Sequence, residues 1–208
     1  MALTKVVDGG TNFTGAVTGF ERVFYNTWTS DVSQVLANSV FSSDYLHYKV
    51  LMRVQPDASS VITMYLTTGG DSPSDAVNMA VYQGDLGNRG SSGSAIGTAI
   101  AGSNAYLAMP TNNNIYGNAD CFAELTIFNA VSGAVSGTTN VASKRQRAVS
   151  YFNTQQNVAS ADNHGFRGWG LFQNNTATDN PTVTGLKLAP NTGNWALGEI
   201  AIYGMKVT

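Results

Sequence analysis

The sequence predicts an all-β fold, an antiparallel sandwich or barrel, and three observations carry the prediction. Short apolar or alternating stretches recur along the 208-residue chain, each bounded by Gly, Asn, Ser, Asp or Pro, which is how strands joined by turns read in a sequence. Strand follows strand without the intervening helical patterns that a parallel sheet needs. Gly, Thr, Asn and Ser make up about two fifths of the residues while aromatics stand at 10%, so neutral polar groups surround a substantial apolar core.

Taken in order, residues 20–28 form the first strand candidate. Residues 31–41 are open between a short helix and a further strand: Val32, Val35, Leu36 and Val40 share one helical face behind a Ser30 cap, but β-branched side chains oppose the helix. Residues 47–54 alternate best, with Tyr48, Val50, Met52 and Val54 on one side and His47, Lys49 and Arg53 on the other. Residues 55–60 hold Pro56 and Asp57 and read as a turn, so residues 61–67 return as the antiparallel partner. Further strands are expected at 77–83, 106–109, 122–129, 148–153, 168–173, 182–189 and 199–207. Residues 84–103, dominated by Gly and Ser, read as a long surface loop, as do residues 130–137 leading into Lys144-Arg145-Gln146-Arg147. The end of the chain reads as two strands joined through Pro190 to Asn194, with Leu186 and Leu188 on one face and Ile200 and Ile202 on another. Gly204 breaks that alternation and marks a bulge or a close backbone approach, where a larger residue would disturb the final strand.

Charge excludes several functions. Eleven Lys and Arg stand against 13 Asp and Glu, a formal charge of −2, so the clustered cations of a nucleic-acid binder are missing and no nucleic-acid partner is expected. No 18-residue apolar run exists for a membrane span and no secretory leader is visible at residues 1–10. Cys121 has no second cysteine to pair with and reads as a small buried hydrophobe. A chain of this length buries roughly 70% of its unfolded surface and needs neither disulfide nor metal as a staple.

Chemistry is sparse. His47 and His164 lack a second ligand at zinc spacing; the first reads as an outward strand residue and the second as part of a turn. Gly93-Ser94-Ala95-Ile96-Gly97 places Ala where a nucleophile elbow needs Ser, and no phosphate-binding glycine motif occurs. Asp71 and Asp75 offer oxygens to calcium without the alternation of an EF-hand loop. Glu21, Glu124 and Glu199 lie in expected strands, where a pair could cleave a glycoside, but a strand carboxylate is more often a solvated outer residue. No catalytic residue, metal or cofactor is therefore expected. Two sets of residues remain as contacts. Asn163, Phe166, Arg167 and Trp169 combine aromatic faces with hydrogen-bonding groups, as a carbohydrate or protein contact would, although Trp169 reads first as a core residue. Lys144, Arg145 and Arg147 collect positive charge for an acidic partner, or merely solvate a loop.

Three stretches resemble a loose family of tailed-bacteriophage virion proteins of the capsid-decoration and tail-fibre type. Val40-Phe-Ser-Ser-Asp-Tyr-Leu-His-Tyr-Lys-Val-Leu-Met-Arg-Val54, followed by Ile62-Thr-Met-Tyr-Leu-Thr-Thr-Gly-Gly70, looks like the family's pair of early strands, introduced by Tyr45 and Tyr48. Glu124-Leu-Thr-Ile-Phe-Asn129 is similar to its middle strand. Gly185-Leu-Lys-Leu-Ala-Pro-Asn-Thr-Gly-Asn194, running into Gly198-Glu-Ile-Ala-Ile-Tyr-Gly-Met-Lys206, looks like its terminal hairpin with the aliphatic-Tyr-Gly ending. The resemblance implies a jelly-roll sandwich over residues 40–208, a single domain overall, with residues 1–39 as first strands or an arm for attachment. It implies a non-enzymatic subunit assembled in the host cytoplasm into the virion, binding other capsid or tail proteins and itself, as a trimer. The rival expectation is a carbohydrate-binding jelly roll that recognises a host surface glycan.

Overall fold

In the computed structural model the described residues are 19–68, 74–75, 79–89, 94–102, 106–109, 117, 119–128, 130, 146–156, 163–174 and 183–206. They form thirteen strands: β1 (Phe20–Trp28), β2 (Val35–Ala37), β3 (Tyr45–Pro56), β4 (Ile62–Thr68), β5 (Ser74–Asp75), β6 (Met79–Arg89), β7 (Ser94–Gly102), β8 (Tyr106–Met109), β9 (Cys121–Phe128), β10 (Gln146–Gln156), β11 (Asn163–Asn174), β12 (Val183–Pro190) and β13 (Trp195–Lys206). All pairings are antiparallel. The larger sheet has eight strands in the order β1-β13-β3-β9-β10-β11-β6-β7, and the smaller has β2-β12-β4-β5 with β8 also paired to β4.

The connectivity is a jelly roll with two insertions. Four nested pairs, β1 with β13, β2 with β12, β3 with β9 and β4 with β8, are what one long hairpin gives when it is rolled so that successive pairs fall alternately in two facing sheets. The excursion β5-β6-β7 leaves between β4 and β8, and β10-β11 between β9 and β12. The two excursions pair with each other through β11 and β6 and widen the larger sheet.

Alternation places the core between the sheets. Tyr48, Val50, Met52 and Val54 of β3, Cys121, Leu125 and Ile127 of β9 and Ile200 and Ile202 of β13 are buried; they face Val35, Ile62, Met64, Leu66, Leu107, Leu186 and Leu188 from the smaller sheet. Trp28 and Trp195 stack at one end with ring centroids 5.7 Å apart. At 25 cal/mol per Å² or so, burying each large side chain contributes about 2 kcal/mol. Tyr48 carries its hydroxyl inward without penalty, because it accepts from the Ser42 amide at 2.7 Å and donates to the Ser42 carbonyl at 3.2 Å.

The structure corrects several local expectations. Residues 31–41 form no helix: Val35–Ala37 is strand β2 and Val32 bridges to Trp195, so β-branching prevails over helical spacing. β3 and β4 are not a hairpin but lie in opposite sheets, as do β12 and β13. Both arches cross the sandwich at the same end and are tied together. Asn191 Oδ1 accepts from Ser60 Oγ and the Val61 amide, both at 2.8 Å, and Asp57 exchanges bonds of 2.9 Å with Asn194. Gly193 has φ +70 in this turn, and a Cβ there would meet Asp57 Oδ1, so both its backbone and its space require glycine. Within the loop expected at 84–103 the described residues are strand: 84–89 supply the end of β6 and 94–102 all of β7, paired from Val81–Gly102 to Arg89–Ser94. Small residues weaken strand propensity without preventing pairing where a neighbouring strand supplies the ladder. The loop expected at 130–137 lies outside the described residues apart from Ala130. Gly204 is a close approach, since a Cβ there would come 2.5 Å from the Tyr45 ring.

Cys121 is buried among apolar groups, and that burial pushes its thiol pKa up to about 12. Ellman's reagent at mildly alkaline pH is expected to leave it unmodified in the folded chain and to titrate it fully in denaturant. Rapid modification of the native protein would contradict this packing.

Candidate functional site

The outward faces of the two sheets differ in chemistry. Strand alternation points Lys187, Tyr65 and Tyr106 outward from the smaller sheet, with Lys187 Nζ 3.9 Å from the centre of the Tyr65 ring. On the larger sheet the outward positions carry Phe20, Tyr25, Leu51, Phe122, Phe128, Phe152 and Trp169, seven of the eight exposed large hydrophobics among the described residues. The eighth, Leu46, sits at a register shift where β3 meets the end of β13. A cluster of that kind on one face is unusual for a surface facing only water.

Register fixes how these side chains lie. One row across the sheet runs Tyr25, Ala201, Leu51, Glu124, Phe152, Arg167, and the next runs Thr27, Glu199, Arg53, Phe122, Thr154. A third contains Arg22, Tyr203, Lys49, Thr126, Ser150 and Trp169. Because Ala201 is small, a groove of about 490 Å³ opens over it, walled by Tyr25 and Tyr203 on one side and Phe122 and Phe152 on the other. Three guanidinium groups lie over rings: Arg22 over Tyr25 at 5.2 Å, Arg53 over Phe122 at 5.8 Å and Arg167 over Phe152 at 5.7 Å. Lys49 meets Glu124 at 2.9 Å and Arg53 meets Asp120 at 2.9 Å, so two of the cations on this face are matched in place. At the β1 edge Lys206 pairs with Glu21 at 2.9 Å, and that hydrogen bond holds the exposed Glu21 carboxyl below its usual range.

The residues singled out in the sequence fare unequally. Phe166 points inward and is buried, on the opposite side of β11 from Arg167 and Trp169. Trp169 is 51% exposed on the outer face, which corrects its assignment to the core. Arg167 shares that face, and Asn163 opens β11 opposite Gln156. His164 belongs to β11, opposite Arg89, and not to a turn. Lys144 and Arg145 lie outside the described residues, while Arg147 is a β10 position opposite Phe172. Asp71 also lies outside them, and among the described residues no three His, Cys, Asp or Glu come close enough to hold a metal. Glu124 and Glu199 do line one groove. Glu124, with its side chain 48% exposed, is ion-paired to Lys49 at 2.9 Å.

Tyr25, Leu51, Phe122 and Phe152 were not expected as contact residues, yet the signal was present. Alternation in 121–128 puts Cys121, Ala123, Leu125 and Ile127 on the core side, which leaves Phe122 and Phe128 on the phase otherwise held by Glu124 and Thr126. No protein-family model matches the chain, no curated protein matches it in sequence, and no solved structure matches it.

Proposed function

We propose that this chain is a non-enzymatic structural subunit of a tailed-bacteriophage virion, a capsid decoration or short tail-appendage protein that works by protein–protein contact. One observation carries the contact reading: a single sheet face gathers seven exposed large apolar side chains together with three arginine–ring pairs. Aromatic residues and Arg are the types enriched where protein surfaces bury each other, and paired charges lower the cost of excluding water around them. The virion assignment draws on the resemblance. Its three stretches fall on β3 with β4, on β9, and on β12 with β13, strands belonging to the nested core of the jelly roll. Repetition on a particle multiplies weak contacts, so no single interface has to be tight.

Mass spectrometry and electron cryo-microscopy of particles made from a genome carrying this sequence test the proposal. The expected result is a jelly roll at the capsid or tail surface with its wide sheet turned toward a neighbouring subunit; absence from purified particles overturns it. Trp169 exposed beside Arg167 favours a second reading, a glycan contact. Glycan-array binding that disappears in Trp169→Ala would support that reading. Release of reducing ends from host envelope polysaccharide, lost in Glu124→Gln or Glu199→Gln, would make the protein an enzyme.

A further inference from the structure

We infer that the partner seated on this face is a second copy of the same chain, bound sheet to sheet about a two-fold axis; the inference rests on the face being a protein contact surface. Three arguments lead there.

The first is area. From β1 to β11 the outer face is six strands wide and four outward ranks long, the fourth rank being Phe20, Met205, His47, Phe128, Ala148 and Leu171. At standard strand spacing and rise this field spans roughly 29 by 25 Å, or about 700 Å². A specific interface needs about 800 Å² from each partner. The face therefore suffices for a dimer of modest affinity if nearly all of it is used, and sheet-to-sheet packing uses it all.

The second is shape and charge. Two sheets pack face to face when their twists agree, and a copy has the same twist by identity. Lys49 is matched to Glu124, Arg53 to Asp120, and Glu199 stands opposite Arg53 in register. Arg22 and Arg167 lie over rings at the β1 and β11 margins, and between them the interleaved charges do not repel a copy of the same face and offer little field to draw in a strongly acidic or basic partner.

The third is symmetry. One patch used by both partners closes a two-fold dimer, whereas a ring of three requires two unlike patches that fit each other. Among the described residues seven of eight exposed large hydrophobics share one face, which supplies one patch and not two. The geometry thus points to a dimer where the family resemblance implies a trimer.

Sedimentation velocity of the full chain tests this over about three decades of concentration around the micromolar range expected for such an area. The expected species is a reversible dimer at twice the 21.9 kDa chain mass, little weakened by raising salt to about 1 M because its attraction is apolar. Phe122→Asp combined with Phe152→Asp is expected to weaken it by at least about 100-fold, since each change acts twice across a two-fold axis. Leu51→Arg gives the same reading should that pair fail to fold. A photo-crosslinking residue at position 152 is expected to join two copies through outer-face peptides of β1, β3, β9 or β13. A chain monomeric at every concentration, a trimer, or a dimer unaffected by these variants overturns the inference. If the variants abolish attachment to particles while the free chain is monomeric, the contact face survives and only the identity of its occupant falls. If they change neither, the contact reading falls as well.

Discussion

Replacing Gly185 with valine is expected to cost at least about 3 kcal/mol of stability, measured as a fall in the urea midpoint at constant slope. Gly185 lies in β12 between β2 and β4, and a Cβ built on it would stand 2.1 Å from the Ala37 carbonyl oxygen and 3.1 Å from Thr67 Oγ1. The first of these is backbone. No rotamer change can relieve the contact, so β2 has to move away from β12, and with it go the pairings of Leu186 with Ala37 and Leu188 with Val35. Valine also adds two methyl groups beyond the Cβ that already collides. Gly165→Ala is the matched control. That position has nothing within 4 Å of the added Cβ, so a change within about 0.5 kcal/mol is expected there. Equal losses at both glycines would show that strand propensity, not close packing, governs these sites.

Much of the fold was legible because alternation is a local property that burial enforces. In β3 each inward residue from Tyr48 to Val54 is apolar, and in β13 Ile200 and Ile202 keep the same phase; these strands could be read from residues alone. Pairing could not. The turn containing Pro56 and Asp57 looks the same in sequence whether the chain doubles back in one sheet or arches across to the other. What selects the arch is a set of bonds to Asn191 and Asn194, 130 to 137 residues away. The glycines inside β11 have another origin. Gly168 and Gly170 face inward, where a Cβ would strike the Tyr151 ring or Leu107. They are small because neighbours occupy their space, not because the chain turns. Reading the residues around His164 as a turn cut β11 short, and the full strand's phase places Phe166 and Phe172 inside and Arg167 and Trp169 outside. The contact face was obscured likewise, since its members come from six strands and only register aligns them.

The two tryptophans on opposite sides of the larger sheet give the sharpest test of that phase. Trp195→Ala is expected to destabilise the chain by about 3–5 kcal/mol, the range for emptying a large aromatic site in a packed core. Trp195 is 1% exposed, stacks on Trp28, and exchanges backbone hydrogen bonds of 2.9 and 3.0 Å with Val32. Its removal leaves the Trp28 ring without its stacking partner at one end of the sandwich, next to the bridge that anchors the approach to β2. Marginal domains hold about 5–15 kcal/mol in total, so this one change could consume a large part of the margin and should lower the thermal midpoint by many degrees. Trp169→Ala removes a side chain of the same size from the outer face, where half of it already meets water. Its expected effect on stability is within about 1 kcal/mol, with an unchanged far-ultraviolet circular dichroism spectrum. Any loss it causes should appear instead in contact with a partner. If Trp169→Ala unfolds the chain while Trp195→Ala does not, β11 and β13 have been given the wrong faces, and the exposed apolar field on which the contact reading depends would not exist.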